Sequence, residues 1–398
     1  MFIFLAIIGL SVLVFFHEFG HFIVAKILGI KVEEFGIGYP PRIFGIIRLS
    51  KYKLKFFWGK NQPAGTEGKT IYSFNWIPFG GFNKLKGELD GDQAKDSFFA
   101  QAWWKKILVA IGGTAMNIVL AMFIFSILYF TGIPQDISSI EKGGKVLRSV
   151  GIQIGMVAPD SPADQAEIKI GDIIMQIDGQ SFDQIEEIQE YIKTKINQSI
   201  TIEIKRGEEI IFQTVEVQPY DQVFSAYPED NKDDDEFLTV QEEEDQLKRG
   251  VIGVALSQAA IVRYPFGQAI VIGIKTTFIL LGNLFYGIWL IIKTLITKGE
   301  MVGGLLGPVG IATMTAEIAK VGYIYYLQFL AFLSVAIGAF QIIPFPALDG
   351  SRVLFAIIEG IKGKPISHKI ENMVISLGFY LLVTFLLYIT VKEILLLF

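Results

Sequence analysis

Two of the three histidines in this chain stand four residues apart, in His17-Glu18-Phe19-Gly20-His21. On a helix, residues at that spacing share a face, so both imidazoles can reach one metal ion while Glu18 projects beside them. The run around them, residues 1–28, is apolar, and three ionisable groups inside an apolar span are costly unless they have a function. The plainer alternative, two histidines satisfied by helix neighbours beside a surface glutamate, needs a water-facing surface that such a span does not offer. The pattern predicts a zinc-hydrolase motif: His17 and His21 as ligands, Glu18 as the group that handles a water proton.

Catalytic zinc takes three protein ligands and keeps one position open. His368 is one candidate for the third, but Lys364, Pro365, Ser367 and Lys369 around it read as surface. Asp349 closes an apolar span in Pro344-Phe345-Pro346-Ala347-Leu348-Asp349-Gly350, where an unused carboxylate would be expensive. It is the preferred third ligand, although an Asp-Gly turn after a proline-rich kink would be unremarkable by itself.

These residues need a scaffold of apolar helices. The 398-residue chain is 52% hydrophobic, and several of its runs match the ~20 residues that cross a bilayer. We expect a polytopic α-helical membrane protein with four core transmembrane helices, at 1–28, 107–131, 323–350 and 371–398. The first run resembles a signal peptide in length only, since it lacks a basic start and a small-residue cleavage site. The absence of cysteine excludes disulfides, thiolate catalysis and Cys-based zinc sites, and leaves the redox compartment undetermined.

Between the first two spans, residues 29–106 show short β-like segments at 32–37, 52–58 and 70–76, punctuated by Gly and Pro. They predict a membrane-associated β-hairpin region. Residues 145–220 read as a compact inserted α/β domain, with a helix at 184–196 and strands at 200–205 and 210–217. An acidic linker, 221–250, follows; it lacks the turn glycine and ligand spacing of a calcium loop. Residues 266–322 are expected to form interfacial or re-entrant helices and a Gly-rich turn.

Charge sets the expected topology. Residues 29–106 carry 13 Lys/Arg against 7 Asp/Glu, and 132–266 carry 12 against 26, which places the first region in the cytosol and the second outside. If 266–296 crossed the membrane, Asp349 would end on the face opposite the histidines. Its length and apolarity favour crossing; the meeting of Asp349 with His17 and His21 favours an interfacial placement, which is the one expected here.

Taken together, HEFGH in the first span and Pro344-x-Pro346-Ala-Leu-Asp349-Gly350 resemble the site-2 protease family of intramembrane zinc metalloproteases. The resemblance runs over nearly the whole chain. Ile77-Pro78-Phe79-Gly80-Gly81-Phe82, Phe35-Gly36-Ile37-Gly38-Tyr39-Pro40 and Gly307-Pro308-Val309-Gly310-Ile311 resemble further family segments. The stretch 155–179 resembles the PDZ domain of the bacterial branch, in one copy. The resemblance implies a bacterial plasma membrane, Zn²⁺ on His17, His21 and Asp349, and Glu18 as the catalytic residue. It also implies single-span membrane proteins as substrates, such as anti-sigma factors, or remnant signal peptides. Gln341, Asn117, Gly36 and Gly38 become candidates for substrate binding. Two departures stand out: Gln341 replaces an expected Asn, and Thr114 replaces an expected Pro ahead of Asn117. Neither touches the ligands.

Two rivals come from other classes. A catalytically inactive, membrane-anchored PDZ scaffold would have no need of Glu18. A transporter, suggested by Gly/Pro-interrupted apolar segments, would show paired internal repeats, and none is visible.

Overall fold

The structure, a computed structural model, describes residues 2–50, 53–59, 61–66, 68–88, 91–207, 209–224, 250–298 and 307–396. The acidic run at 229–245 and Gly303-Gly304 lie outside these residues. In chain order the elements begin α1 (Phe2–Ile27), β1 (Val32–Ser50), β2 (Lys53–Trp58), β3 (Ile71–Leu85) and α2 (Trp103–Thr131). Next come β4 (Ile133–Asp136), β5 (Lys145–Val157), α3 (Pro162–Gln165), β6 (Ile173–Ile177) and α4 (Ile185–Lys193). Strands β7 (Ser199–Arg206), β8 (Glu209–Glu216) and β9 (Gln218–Pro219) precede α5 (Tyr220–Phe224), β10 (Gly250–Val251) and β11 (Val254–Arg263). The chain ends in α6 (Phe266–Lys298), α7 (Pro308–Val321), α8 (Tyr323–Ile342), α9 (Asp349–Lys362) and α10 (His368–Leu396).

Two compact units result: Met1–Ile127, Ile270–Ala319 and Tyr326–Phe398 form one, Leu128–Ala269 and Lys320–Tyr325 the other. Among the described residues, five helices are long and apolar enough to cross a bilayer: α1, α2, α6, α8 and α10. This is a multi-pass membrane protein. A helix suits such a stretch because every backbone group away from its ends pairs within it. Gly29 ends α1 at φ +77°, a left-handed cap that lets the Ile30 N–H reach the Ala25 carbonyl at 2.9 Å.

In the first unit, α1, α2 and α8 meet through small residues and hydroxyls, the usual means of close helix approach in lipid. A Cβ added to Gly20 would collide with the Gly112 carbonyl, so α1 and α2 touch backbone to backbone there. Tyr326 donates to the Leu5 carbonyl at 2.7 Å, and Gly9 lies against Leu330, so α8 runs parallel to α1. Ser334 donates to the Asn117 carbonyl at 2.8 Å and Thr114 to the Gly338 carbonyl at 3.3 Å, so α2 runs opposite to both.

The β region is more continuous than the three short segments expected. Strands β1 and β3 each bend at prolines, Pro40-Pro41 and Pro78, and each contributes two lanes. With β2 the sheet reads 81–85, 32–37, 71–74, 44–47, 54–58 across its width. Lane 81–85 lies at one border, and no strand among the described residues pairs with its outer edge.

The second unit holds a six-stranded sheet in the order β4-β11-β5-β6-β7-β8, with α4 laying Ile188 and Ile192 onto it. Strand β11 pairs along β5 from Val254 to Arg263. The sheet therefore continues past residue 220, where the inserted domain was expected to end, and takes in β11.

Candidate metal centre

Helix α1 presents His17, Glu18 and His21 in its second half, and the loop after α8 brings in Asp349 at the first turn of α9. An acidic residue is favoured at that place by the helix dipole. The distances close a triangle: His17 Nε2 to Asp349 Oδ2 3.0 Å, His21 Nε2 to the same oxygen 3.1 Å, and the two Nε2 atoms 3.2 Å apart. Three vertices of a tetrahedron with ~2.0–2.1 Å bonds stand about 3.3 Å apart, so the three atoms can share one zinc-sized ion. The expected ligands are thus brought together, across 332 residues of sequence.

The tautomers agree with that role. His21 Nδ1 lies 2.7 Å from the Val109 carbonyl, which can only accept, so Nδ1 carries the proton and Nε2 offers its lone pair. Asn117, wholly buried on α2, stands behind His17 with Nδ2 3.5 Å from Nδ1, while its Oδ1 has no partner. A half-turn of that amide places Oδ1 to accept from the His17 Nδ1–H and fixes the second imidazole in the same tautomer. Gly113 clears the space between them: a Cβ there would come 2.5 Å from His21 Nε2 and 2.7 Å from His17 Nε2. Two neutral imidazoles and a carboxylate, with room kept open around their lone pairs, are a fitting donor set for zinc.

Glu18, His21 and Asp349 line one cavity of about 240 Å³ with Tyr39, Phe82, Asn83, Leu85, Glu88 and Arg352 among its other walls. Arg352 pairs with Glu88 at 2.5 Å, and that carboxylate raises the guanidinium's pKa above its ordinary value. The remaining sequence candidates fall elsewhere. Gln341 accepts from the Asp349 backbone N–H at 3.4 Å and so braces the ligand's loop. Gly36 sits inside the sheet against Phe82, Asn75 and Ser73, and Gly38 takes φ +76° at the bend of β1; neither lines the cavity. His368 shares a hydrogen bond with Asn372, meets Phe99 edge-on, and is not among the residues that line the cavity. Sequence reasoning missed Val109, whose contribution is a backbone carbonyl. It also missed Gly113, Tyr39, Asn83 and the Glu88–Arg352 pair.

A family model, that of peptidase family M50, matches residues 5–385. The chain belongs to peptidase family M50. A Clostridium perfringens protein named, by inference, a zinc metalloprotease is 31% identical over 395 residues, covering 99% of this chain and 98% of that one. The zinc metalloprotease RasP of Oceanobacillus iheyensis is 27% identical, covering 98% and 97%. A solved PDZ domain from Listeria monocytogenes, 20% identical, covers 27% of this chain with a TM-score of 0.19, a similarity too slight to carry any argument about the fold. This member of the M50 peptidases is a zinc metalloprotease, and the His17–His21–Asp349 group, which could hold a metal ion, lies among helices able to span a membrane.

Proposed function

We propose that His17, His21 and Asp349 hold the zinc, that Glu18 is the catalytic carboxylate, and that the enzyme cuts peptide bonds within single-span membrane proteins or remnant signal peptides. The observation that carries this reading is the convergence of three ligand atoms, 3.0–3.2 Å apart, at a cavity that Glu18 also lines. Zinc held there supplies Lewis acidity to the scissile carbonyl and the attacking water. Glu18 takes the proton from that water and delivers it to the leaving amine. Val109 and Asn117 keep the imidazoles in their ligating tautomers, and Gln341 holds the Asp349 backbone in place.

A helical substrate must unwind before its peptide bond can be reached, and each backbone group freed in hydrocarbon costs several kcal/mol unless it is paired. The open border at 81–85 can supply those bonds by strand addition. In the second unit, α4 and the strand residues 250–256 frame a groove of about 470 Å³, and among the described residues no strand pairs with the outer edge of β11 at 254–258. That layout supports a PDZ-like domain that receives extended tails and screens substrates.

The charge asymmetry supports a cytosolic sheet and metal centre with the second unit outside, in a bacterial plasma membrane. It also supports four core crossings with α6 at the outer surface. Helix α6 is one unbroken helix about 50 Å long, ample to cross. However, α8 starts beside Leu5 of α1, so the chain must be back on that side by Tyr326. Gly307 already lies one turn from Ile311, which packs against Leu13, Leu120 and Leu330. A crossing by α6 would then have to be undone between Lys298 and Tyr326, a stretch whose one described helix is the 14-residue α7.

The test is incubation of the purified protein with a panel of single-span peptides, with and without chelator, beside Glu18→Gln. Chelator-sensitive cleavage that is absent from the variant is expected. One bound zinc with no cleavage of any peptide would sink the proteolytic reading in favour of a binding scaffold.

A further inference from the structure

One carboxamide at the metal cavity has no work inside the protein. Asn83 lines the cavity with Glu18, His21 and Asp349, yet its Oδ1 and Nδ2 are both shut off from water and both lack a hydrogen-bond partner. Leaving a buried amide wholly unpaired is costly, and such a group calls for a role. Each of the other amides nearby has at least one partner, although the Asn75 and Asn117 oxygens have none. Asn75 donates to the Ile37 and Gly38 carbonyls at 3.2 and 3.0 Å, Gln341 takes the Asp349 N–H, and Asn117 stands behind His17.

The lane that carries Asn83 follows the catalytic stretch of α1. Gly80 and Gly81 press against Val14 and Phe15 at one end, and the Lys86 N–H donates to the Lys31 carbonyl at 3.0 Å at the other. Six strand steps cover about 20 Å. Helix α1 needs about the same length from Val14 to its end, with His17, Glu18 and His21 in between. Asn83, in the middle of the lane, is therefore level with the chemistry.

We infer that Asn83 anchors the backbone of the unwound substrate beside the scissile bond, its Nδ2–H donating to a peptide carbonyl and its Oδ1 accepting a peptide N–H. A carboxamide offers the same donor and acceptor as one peptide unit, so it replaces the partners a segment loses on leaving its helix, whatever the side chains of that segment are. The ligand class is an extended peptide backbone. This inference rests on the reading of the site as a peptide hydrolase.

The test uses the full-length protein in nanodiscs and a single-span fluorogenic peptide with a Gly-rich centre. Asn83→Leu removes both polar atoms at similar volume, and Asn83→Asp keeps an acceptor but no donor. Both are expected to bind one zinc and to unfold at the wild-type midpoint. We expect kcat/KM to fall roughly 10- to 100-fold in Asn83→Leu, the scale of two backbone hydrogen bonds, with a smaller loss in Asn83→Asp. A value for folded, zinc-loaded Asn83→Leu within twofold of wild type overturns the assignment. A second arm needs no turnover: in Glu18→Gln protein, a photocrosslinking side chain in place of Asn83 should capture the same peptide. Placed instead of Lys84, on the opposite face of the lane, it should not. Capture only at 84 overturns the proposal. A wild type that cuts nothing yet crosslinks at 83 rejects the hydrolase reading and leaves the peptide anchor standing.

Discussion

Gly113→Ala is the smallest change that should dismantle the metal centre. A Cβ at this position would stand 2.5 Å from His21 Nε2, 2.6 Å from His17 Cε1 and 2.7 Å from His17 Nε2. Ordinary contact needs roughly 3.5 Å, so the imidazoles or the helix must give by nearly 1 Å. The helix cannot retreat cheaply, because α1 and α2 are in backbone contact one residue away, at Gly20 and Gly112. The rings cannot rotate freely either, since His21 Nδ1 is tied to the Val109 carbonyl. Zinc sites tolerate about ±0.2 Å in ligand distance, several times less than the displacement required. We expect zinc affinity to fall at least 100-fold, about 2.7 kcal/mol. Competition against a chelator of known affinity, read as zinc per protein after desalting, measures it, and a thermal melt with zinc present shows whether the helices still assemble. A folded Gly113→Ala protein that keeps zinc to within threefold of wild type would refute the placement of the ion between these imidazoles.

Four further outcomes follow from the same geometry. Glu18→Gln should keep its zinc and lose cleavage by roughly 10²- to 10⁴-fold, measured on the single-span peptide. Asn117→Leu removes the group behind His17 and should weaken zinc roughly 10- to 100-fold without abolishing folding, which separates orientation of a ligand from ligation itself. In the second unit, Arg206 holds the buried Asp172 through both Nε and Nη2 at 2.7 Å. Arg206→Met should cost about 3–5 kcal/mol by stranding that carboxylate, seen as a lower midpoint for this unit in denaturant titration. Because the chain has no cysteine, Lys298→Cys and Lys364→Cys can be labelled singly. We expect the first to react from the outer face and the second from the cytosol; cytosolic labelling of both would show α6 to cross.

The convergence of His17, His21 and Asp349 was readable because their chemistry leaves a strong local mark: charge is rare in apolar helices, and the i, i+4 spacing is fixed by the helix itself. What lay further out was not. Val109 acts through a carbonyl, which every residue has, and Gly113 acts through the absence of a side chain. Asn83 did leave a sign, a lone amide between Phe82 and Lys84 in an apolar strand, but only the fold shows that it opens toward Glu18. The β region was read as three short strands because Pro40, Pro41 and Pro78 look like terminators; in the fold they are bends within longer strands. Strand β11 was missed since the acidic run before it looks like the end of a domain, although Val254–Arg263 completes the sheet that β5 began.

The geometry also explains why one enzyme of this kind can need both a helix bundle and a sheet. The helices bring three donor atoms to 3.0–3.2 Å of one another, with glycine and hydroxyl contacts holding α1, α2 and α8 at close range. They cannot hold a substrate, since a helix has no backbone groups to spare along its side. A sheet border has them in a row, one residue every ~3.3 Å, but offers no fixed metal. Lane 81–85 lies along the half of α1 that bears His17 and His21, so a peptide paired with the lane as proposed would pass Glu18 in extended form. Half-buried Phe15, Phe19 and Phe22 of α1 pack on buried Phe35 of the neighbouring lane, 4.7–6.0 Å between ring centres, and so tie the helix to the sheet.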